Sequence, residues 1–594
     1  MIPADAEKSG PDDDEGVPLP PVAMLLLAVV LGVAGGLGAI AFKLLLALVH
    51  NAFFQGRLAL ELDMGLAIAP SVFGAFVILV PVVGALLVTL ITRHVAPEAR
   101  GGGVPEVLDA IYYGRGRIRP VVALAKAAAT AVSIGTGGSA GREGPMVQIG
   151  ATVGSLLGAV ARIPARQRIT LMAACAAAGV AATFNTPIGG IAFALELLLV
   201  SLSARTVSLV AISAVVATAI GRMHGGLDPA FNVPGIAQFE DQGIGLPMLL
   251  LSVPFGLLVG LAAAGFIRGL YAVEERFERH FANPYLRHMA GMLLVGIMLY
   301  GFMLATGNYY VAGVGYPVIL DVLRAALSDP FFLMLLFAAK LLATLLTLGS
   351  GASGGVFAPS LFLGATLGGA FGGFLDLLLP GLGVDPVVFA VAGMAGMIGG
   401  TSGAVITAIT MTLEQTRDYG AMLPVITTVA LAHMLRVRLV PQSIYTLKLA
   451  RRGHSVPQSL QAAISSAQTA RSVMSRDFEL LDLAELEDWK TRFTPGAGHR
   501  HTVVCREGEV LGVAQPELLY LLPDESPETL IDADWFGAEA ATSLPVIMRG
   551  LRVKGSDTAL VFNPRGSTRS ADLVGVITSR EIGRNARDNA ELMD

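Results

Sequence analysis

Apolar residues fill the chain from Val22 to about Val437, in windows set off by glycine, proline and short polar stretches. The long windows are residues 22–49, 69–91, 246–267, 289–305 and 330–348. Each suits a membrane helix of about 20 residues. The others are shorter or interrupted: 121–134, 146–160, 169–180, 188–202, 207–220, 356–379, 387–398, 404–413 and 422–435. Many of these are too short to cross a bilayer upright, so the pattern predicts tilted or discontinuous helices that stop inside the protein. Past residue 470 the pattern changes to short β-branched runs alternating with turns, which predicts small αβ modules. The expected divisions are an acidic tail (1–18), a membrane domain (19–452), a linker (453–469) and a soluble pair of modules (470–594).

Composition sharpens this picture. Charged residues make up 15% of 594 positions and hydrophobic residues 54%, against about 25% charged in soluble domains. The net charge of −5 and the lack of a basic run give no reason to expect a nucleic-acid partner. The first 18 residues are polar and acidic, the wrong sign for a signal peptide, and read as a disordered tail. Cys175 and Cys505 offer neither a disulfide framework nor metal-ligand spacing. His499, Arg500 and His501 read as a solvated loop, so no metal is expected. Arginines at 93, 100, 115–119, 162–168, 205 and 436–452 mark candidate cytoplasmic edges. They favour cytoplasmic termini on a multi-pass plasma-membrane protein.

The 70 glycines fall into two groups. Spacings such as Gly150, Gly154 and Gly158 suit close helix packing in lipid. Others lie in loops just ahead of apolar segments: G-G-G-V-P-E-V (101–107), G-R-E-G-P (141–145) and G-G-V-F-A-P (354–359). In each a proline falls at or near the helix start, where its missing N–H costs nothing. Such loops present free backbone N–H groups at the positive end of a helix dipole. Several converging in mid-membrane make a site for a small desolvated anion without a full positive charge. A cation or amino-acid transporter would place acids beside its broken helices instead.

These motifs occur together with Gln148, F-N-T-P-I-G-G-I-A-F-A-L-E (184–196), G-V-G-Y-P-V-I (313–319), S-G-G-V-F-A-P (353–359) and S-I-Y (443–445). In that order, over residues 22–452, they resemble the CLC family of chloride channels and chloride/proton exchangers. The resemblance implies a non-enzymatic, α-helical membrane protein of inverted repeats, a homodimer with one pore per subunit. Glu143 then matches the gating glutamate, whose carboxylate can occupy an anion site. The amides of Val356 and Phe357 match the filter donors. Those of Arg142 and Gly144 line the outer site, and Gly102, Gly103 and Val104 form the first loop of the anion path. Tyr445 matches the tyrosine that donates to the central anion. Lys126 matches a buried cation supporting that path.

Two positions depart from the family pattern. The first loop usually reads G-S-G-I-P, with the serine hydroxyl donating to the anion, but Gly102 stands there. Exchangers often carry two acids in a row after the F-N-x-P motif, the second being the inner proton group. Here the pair is Glu196–Leu197, and Leu197 carries no proton. Glu196, about 100° round a helix from it, reads as structural, as does Glu414. The expected function is therefore chloride transport in a channel-like mode, gated by protonation of Glu143. The alternative is a proton-coupled antiporter with a different inner proton route.

The tail resembles a divergent pair of CBS domains, through residues 470–481, 510–514, 544–548 and 573–582. Thr578 and Glu581 stand where such modules hold an adenine nucleotide's ribose. A purely structural, dimerising tail is the competing expectation.

Overall fold

A computed structural model describes residues 17–61, 70–199, 203–226, 231, 246–380, 383–454, 456, 468–486, 501–514, 527–563 and 566–584. Most of the acidic tail, most of the linker, and His499 and Arg500 lie outside these residues. The chain divides into two compact units, residues 1–456 and 457–594.

The first unit is helical. Its first half holds α1 (Pro21–Phe54), α2 (Val80–His94), α3 (Val104–Tyr112), α4 (Val121–Gly135), α5 (Glu143–Val160), α6 (Ala165–Phe184), α7 (Pro187–Phe193) and α8 (Ala204–Gly225). Its second half holds α9 (Leu246–His280), α10 (Pro284–Thr306), α11 (Tyr316–Leu323), α12 (Pro330–Ser350), α13 (Phe357–Leu378), α14 (Pro386–Ser402), α15 (Val405–Thr416), α16 (Met422–Leu439) and α17 (Thr446–Arg451). Among the described residues, 9 helices are long and apolar enough to span a membrane. Others, including α4 and α14, are shorter.

Two windows grow on folding. The window at 169–180 becomes a 20-residue helix, α6, because Arg168 turns its guanidinium onto the Arg115 carbonyl at 2.8 Å and is carried into the fold. The window at 246–267 becomes the 35-residue α9, whose polar end is stabilised by pairs such as Glu275–Arg279 at 2.8 Å. Helices α3 and α11 have only 9 and 8 residues. They are too short to register as apolar windows.

Reciprocal contacts relate the two halves, as expected of inverted repeats. Buried Lys126 on α4 donates to the carbonyls of Ala99 (3.0 Å) and Gly101 (2.5 Å). Buried Lys340 on α12 donates to those of Val311 (3.0 Å) and Gly313 (2.8 Å). Thr130 bonds Ser353 at 2.9 Å, and Thr344 bonds Ser139 at 2.8 Å. Glu196 accepts from the amides of Ile406 and Thr407, at 2.8 and 2.7 Å, and so caps α15. Glu414 accepts from those of Ile188 and Gly189, at 3.1 and 2.7 Å, and caps α7. Both acids therefore do the structural work read for them from sequence.

In the second unit, β1 (Phe478–Asp482), β2 (His501–Arg506), β3 (Glu509–Ala514) and β4 (Ile531–Asp532) form one sheet in that order. A second sheet holds β5 (Trp535–Glu539), β6 (Thr558–Phe562) and β7 (Leu573–Thr578). In each, a parallel pair is followed by an antiparallel one. This repetition is consistent with the expected pair of CBS-like modules. Residues 544–548, part of the resemblance to the second module, begin the helix Leu544–Lys554. Leu544, Ile547 and Leu551 are buried at helical spacing, so the face they bury decides the conformation.

Candidate anion site

Backbone hydrogen bonds zip the three glycine loops together. The Gly101 amide donates to the Ala352 carbonyl at 3.0 Å, and the Gly354 amide returns to Gly101 at 3.1 Å. Gly141 and Gly355 exchange bonds of 2.7 and 2.6 Å. The N-termini of α3, α5 and α13 thereby meet, although they come from distant parts of the chain. The fit requires glycine. Gly103 holds φ +88°, and a Cβ there would lie 2.8 Å from the Gly144 carbonyl oxygen. A Cβ on Gly144 would lie 2.2 Å from the Gly102 oxygen.

Glu143 opens α5 and is 3% exposed. One carboxylate oxygen accepts from the Ala358 amide at 3.3 Å, in the first turn of α13. The other accepts from the Tyr316 hydroxyl at 2.5 Å. The side chain thus fills the amide cup of a helix start, where a free anion would be drawn. Arg142 acts on it electrostatically but directs its hydrogen bond elsewhere. Its guanidinium reaches the Thr183 carbonyl at 3.4 Å and lies over the Tyr316 ring, 5.2 Å from the centroid. Val356 is the residue just ahead of α13, and Phe357, its first residue, packs on Phe184 at 5.3 Å between centroids.

On the other side of these loops Gly102, Val356, Tyr445, Tyr271 and Lys448 surround a chamber of about 50 Å³. Tyr445 sits just ahead of α17 and is buried. Its neighbour Ile444 is held through its amide to Thr401 (3.0 Å) and through its carbonyl by Tyr271 (2.6 Å). A Cβ at Gly102 would find its nearest neighbour, the Gly354 oxygen, 3.9 Å away, in ordinary van der Waals contact, so a small side chain fits there. Lys448 pairs with the partly buried Glu106 of α3 at 2.9 Å, tying α17 to the first glycine loop. Tyr271, Glu274 and Lys448 also line a cavity of about 600 Å³ beside the chamber, whose walls include Arg100, Arg287 and Arg452.

The expected residues Gly102, Gly103, Val104, Arg142, Glu143, Gly144, Val356, Phe357 and Tyr445 are therefore brought to one place, with Lys126 anchoring the first loop behind them. Leu197 lies elsewhere, on a π turn (Ala194–Leu198) packed against the apolar core. Thr578 and Glu581 lie in the other unit. There Glu581 accepts from the amide of Thr578 at 3.0 Å, from its hydroxyl, and from His501 at 3.1 Å. Sequence reasoning gave no role to Tyr316 or Lys340. A signal for each was present. G-V-G-Y-P repeats the spacing of G-G-G-V-P in the opposite half, and Lys340 is a lone charge in an apolar window.

The chain is similar to known proteins. The family profile described as voltage gated chloride channel matches residues 84–436. The H(+)/Cl(-) exchange transporter ClcA of Vibrio parahaemolyticus is 33% identical over 439 residues, covering 73% of this chain and 90% of that protein. A putative chloride channel protein, ClcB-like, of Ralstonia nicotianae is 32% identical over 436 residues, covering 72% and 97%. The crystal structure of a slow cyanobacterial Cl−/H+ antiporter superposes with a TM-score of 0.62 at 28% identity, over 73% of this chain and 99% of that one. With these likenesses added to the spanning helices and the glycine-lined site, the chain belongs to the voltage-gated chloride channel (CLC) family and is a multi-pass plasma-membrane protein of anion transport.

Proposed function

We propose that this protein exchanges chloride for protons, with Glu143 as the outer proton carrier and gate. The observation that carries the reading is the Glu143 carboxylate seated on the Ala358 amide at the start of α13. An ionised carboxylate there competes with chloride for the same donors; a protonated one loses that attraction and swings away. Lowering the external pH therefore raises chloride flux. The channel-like mode expected from Leu197 gives way to the alternative, because ClcA and the cyanobacterial protein are described as exchangers. Protons then reach Glu143 from inside by a route that bypasses Leu197. The subunit works as half of a homodimer, with its own anion path.

Proteoliposomes test this directly. Chloride-loaded vesicles in low-chloride buffer, with potassium and valinomycin setting the voltage, are expected to take up protons as chloride leaves. Chloride efflux with no proton movement identifies a passive conductance. Glu143→Gln is expected to abolish proton movement and flatten the pH dependence of chloride flux.

For the tail, we propose a scaffold role. Glu581, engaged by His501 and Thr578, favours this over a nucleotide site. Equilibrium dialysis of the full-length protein against ATP is expected to give no binding.

A further inference from the structure

We propose that Tyr316 is a latch for the outer gate: its hydroxyl holds Glu143 in the blocking position and must release it before the anion passes. The inference rests on Glu143 being the gate, and names a second residue that sets when it opens.

The two oxygens of Glu143 face different elements. One is held by a backbone amide of α13, which an entering anion also needs. The other is held at 2.5 Å by Tyr316, the first residue of α11. A phenol donating to a carboxylate favours its ionised, seated form, because a charge-assisted bond is stronger than a neutral one. Protonation or rotation of Glu143 therefore has to break this bond as well as the amide contact.

Tyr316 is itself fixed. The Phe231 ring meets it edge-on, 5.6 Å between centroids, and the Arg142 guanidinium covers its other surroundings at 5.2 Å. The loop ahead of α11 is pinned by Lys340 through the Val311 and Gly313 carbonyls. The hydroxyl is thus presented on a rigid mount, and Glu143 is the mobile partner. Among the described residues, the charged and titratable groups facing Glu143 are Arg142 from the start of its own helix, Tyr316 from α11 and Tyr445 from the start of α17. Helix α13 presents the Ala358 amide there, and Lys43 of α1 acts electrostatically on Arg142. Tyr316 is a positioning residue: it touches the gate, and no step requires it to touch the anion.

The test is the pH profile of chloride efflux from proteoliposomes for wild type, Tyr316→Phe, Glu143→Gln and the double variant. Phe keeps the ring that packs on Phe231 and removes only the hydroxyl. The expected result is a midpoint displaced by about one pH unit toward alkaline values in Tyr316→Phe, as loss of one hydrogen bond to a charged group implies. The displacement disappears when Glu143 is already Gln. A ring-monofluorinated tyrosine at 316, a stronger donor of nearly the same size, is expected to move the midpoint toward acid. Profiles of Tyr316→Phe and the fluorinated protein that superimpose on wild type overturn the latch and leave the gate intact. A Glu143→Gln protein that keeps the wild-type pH dependence overturns the gate, and the latch with it.

Discussion

A hydroxyl at position 102 has room to enter the chamber beside Tyr445. The nearest atom to a Cβ there is 3.9 Å away, and Gly102 is not among the left-handed glycines. Gly102→Ser is therefore expected to fold normally and to add a donor to the central anion. One hydrogen bond to a desolvated anion is worth about 1–3 kcal/mol. The expected outcome is a rise of about tenfold in chloride preference over nitrate, read from reversal potentials with the two anions on opposite sides. Gly144 behaves oppositely. Its Cβ would meet the Gly102 carbonyl at 2.2 Å, and backbone cannot rotate aside. Gly144→Ala is expected to part the zipped loops at a cost of about 3 kcal/mol or more, seen as loss of monodisperse protein in gel filtration. Two neighbouring glycines thus serve different ends, one leaving space and one allowing contact.

Short helices are held by side chains from the opposite half. Glu196 caps α15 and Glu414 caps α7, so each repeat supplies the acceptor for the other's free amides. Within the second half, Lys340 of α12 holds the loop ahead of α11 by donating to the carbonyls of Val311 and Gly313. Lys340→Met keeps the stem and removes both bonds. Buried carbonyls left without donors cost about 1–3 kcal/mol each. The expected outcome is a lower thermal midpoint in detergent. An alkaline displacement of the flux profile in the same direction as Tyr316→Phe is also expected, because Tyr316 loses its mount. A lowered midpoint with an unmoved profile would confine Lys340 to stability.

The two units of the molecule can be followed separately. Both tryptophans, at 489 and 535, lie beyond residue 470, so intrinsic tryptophan emission reports the tail within the full-length protein. Burial pushes the Glu581 carboxyl up, but the bonds from His501 and Thr578 outweigh it and hold the group at about 2, below its usual 4.5. A depressed carboxyl contributes stability that is fully present above its ordinary value and lost as pH falls through the lowered one. Glu581→Gln is therefore expected to lower the urea midpoint of tryptophan emission at pH 7. The gap to wild type closes as the pH approaches 2. An equal gap at both pH values would remove the ionised carboxylate as its source.

The membrane nature of this chain, the alternation of spanning and broken helices and the three anion-drawing helix starts were all legible from sequence. Hydropathy and glycine–proline punctuation are local properties, and local chemistry dictates them. The role of Glu143 came only from the family resemblance, which matches it to a gating glutamate. The meeting of loops near residues 101, 141 and 355 was reached only by family resemblance, since no spacing along the chain encodes which distant amides will converge. Residues 544–548 are helical because Leu544, Ile547 and Leu551 bury one face. The contact between Tyr316 and Glu143 depended wholly on tertiary structure. A desolvated charge takes its partners from whatever packing brings within hydrogen-bond reach, and here that packing joins residues 173 positions apart.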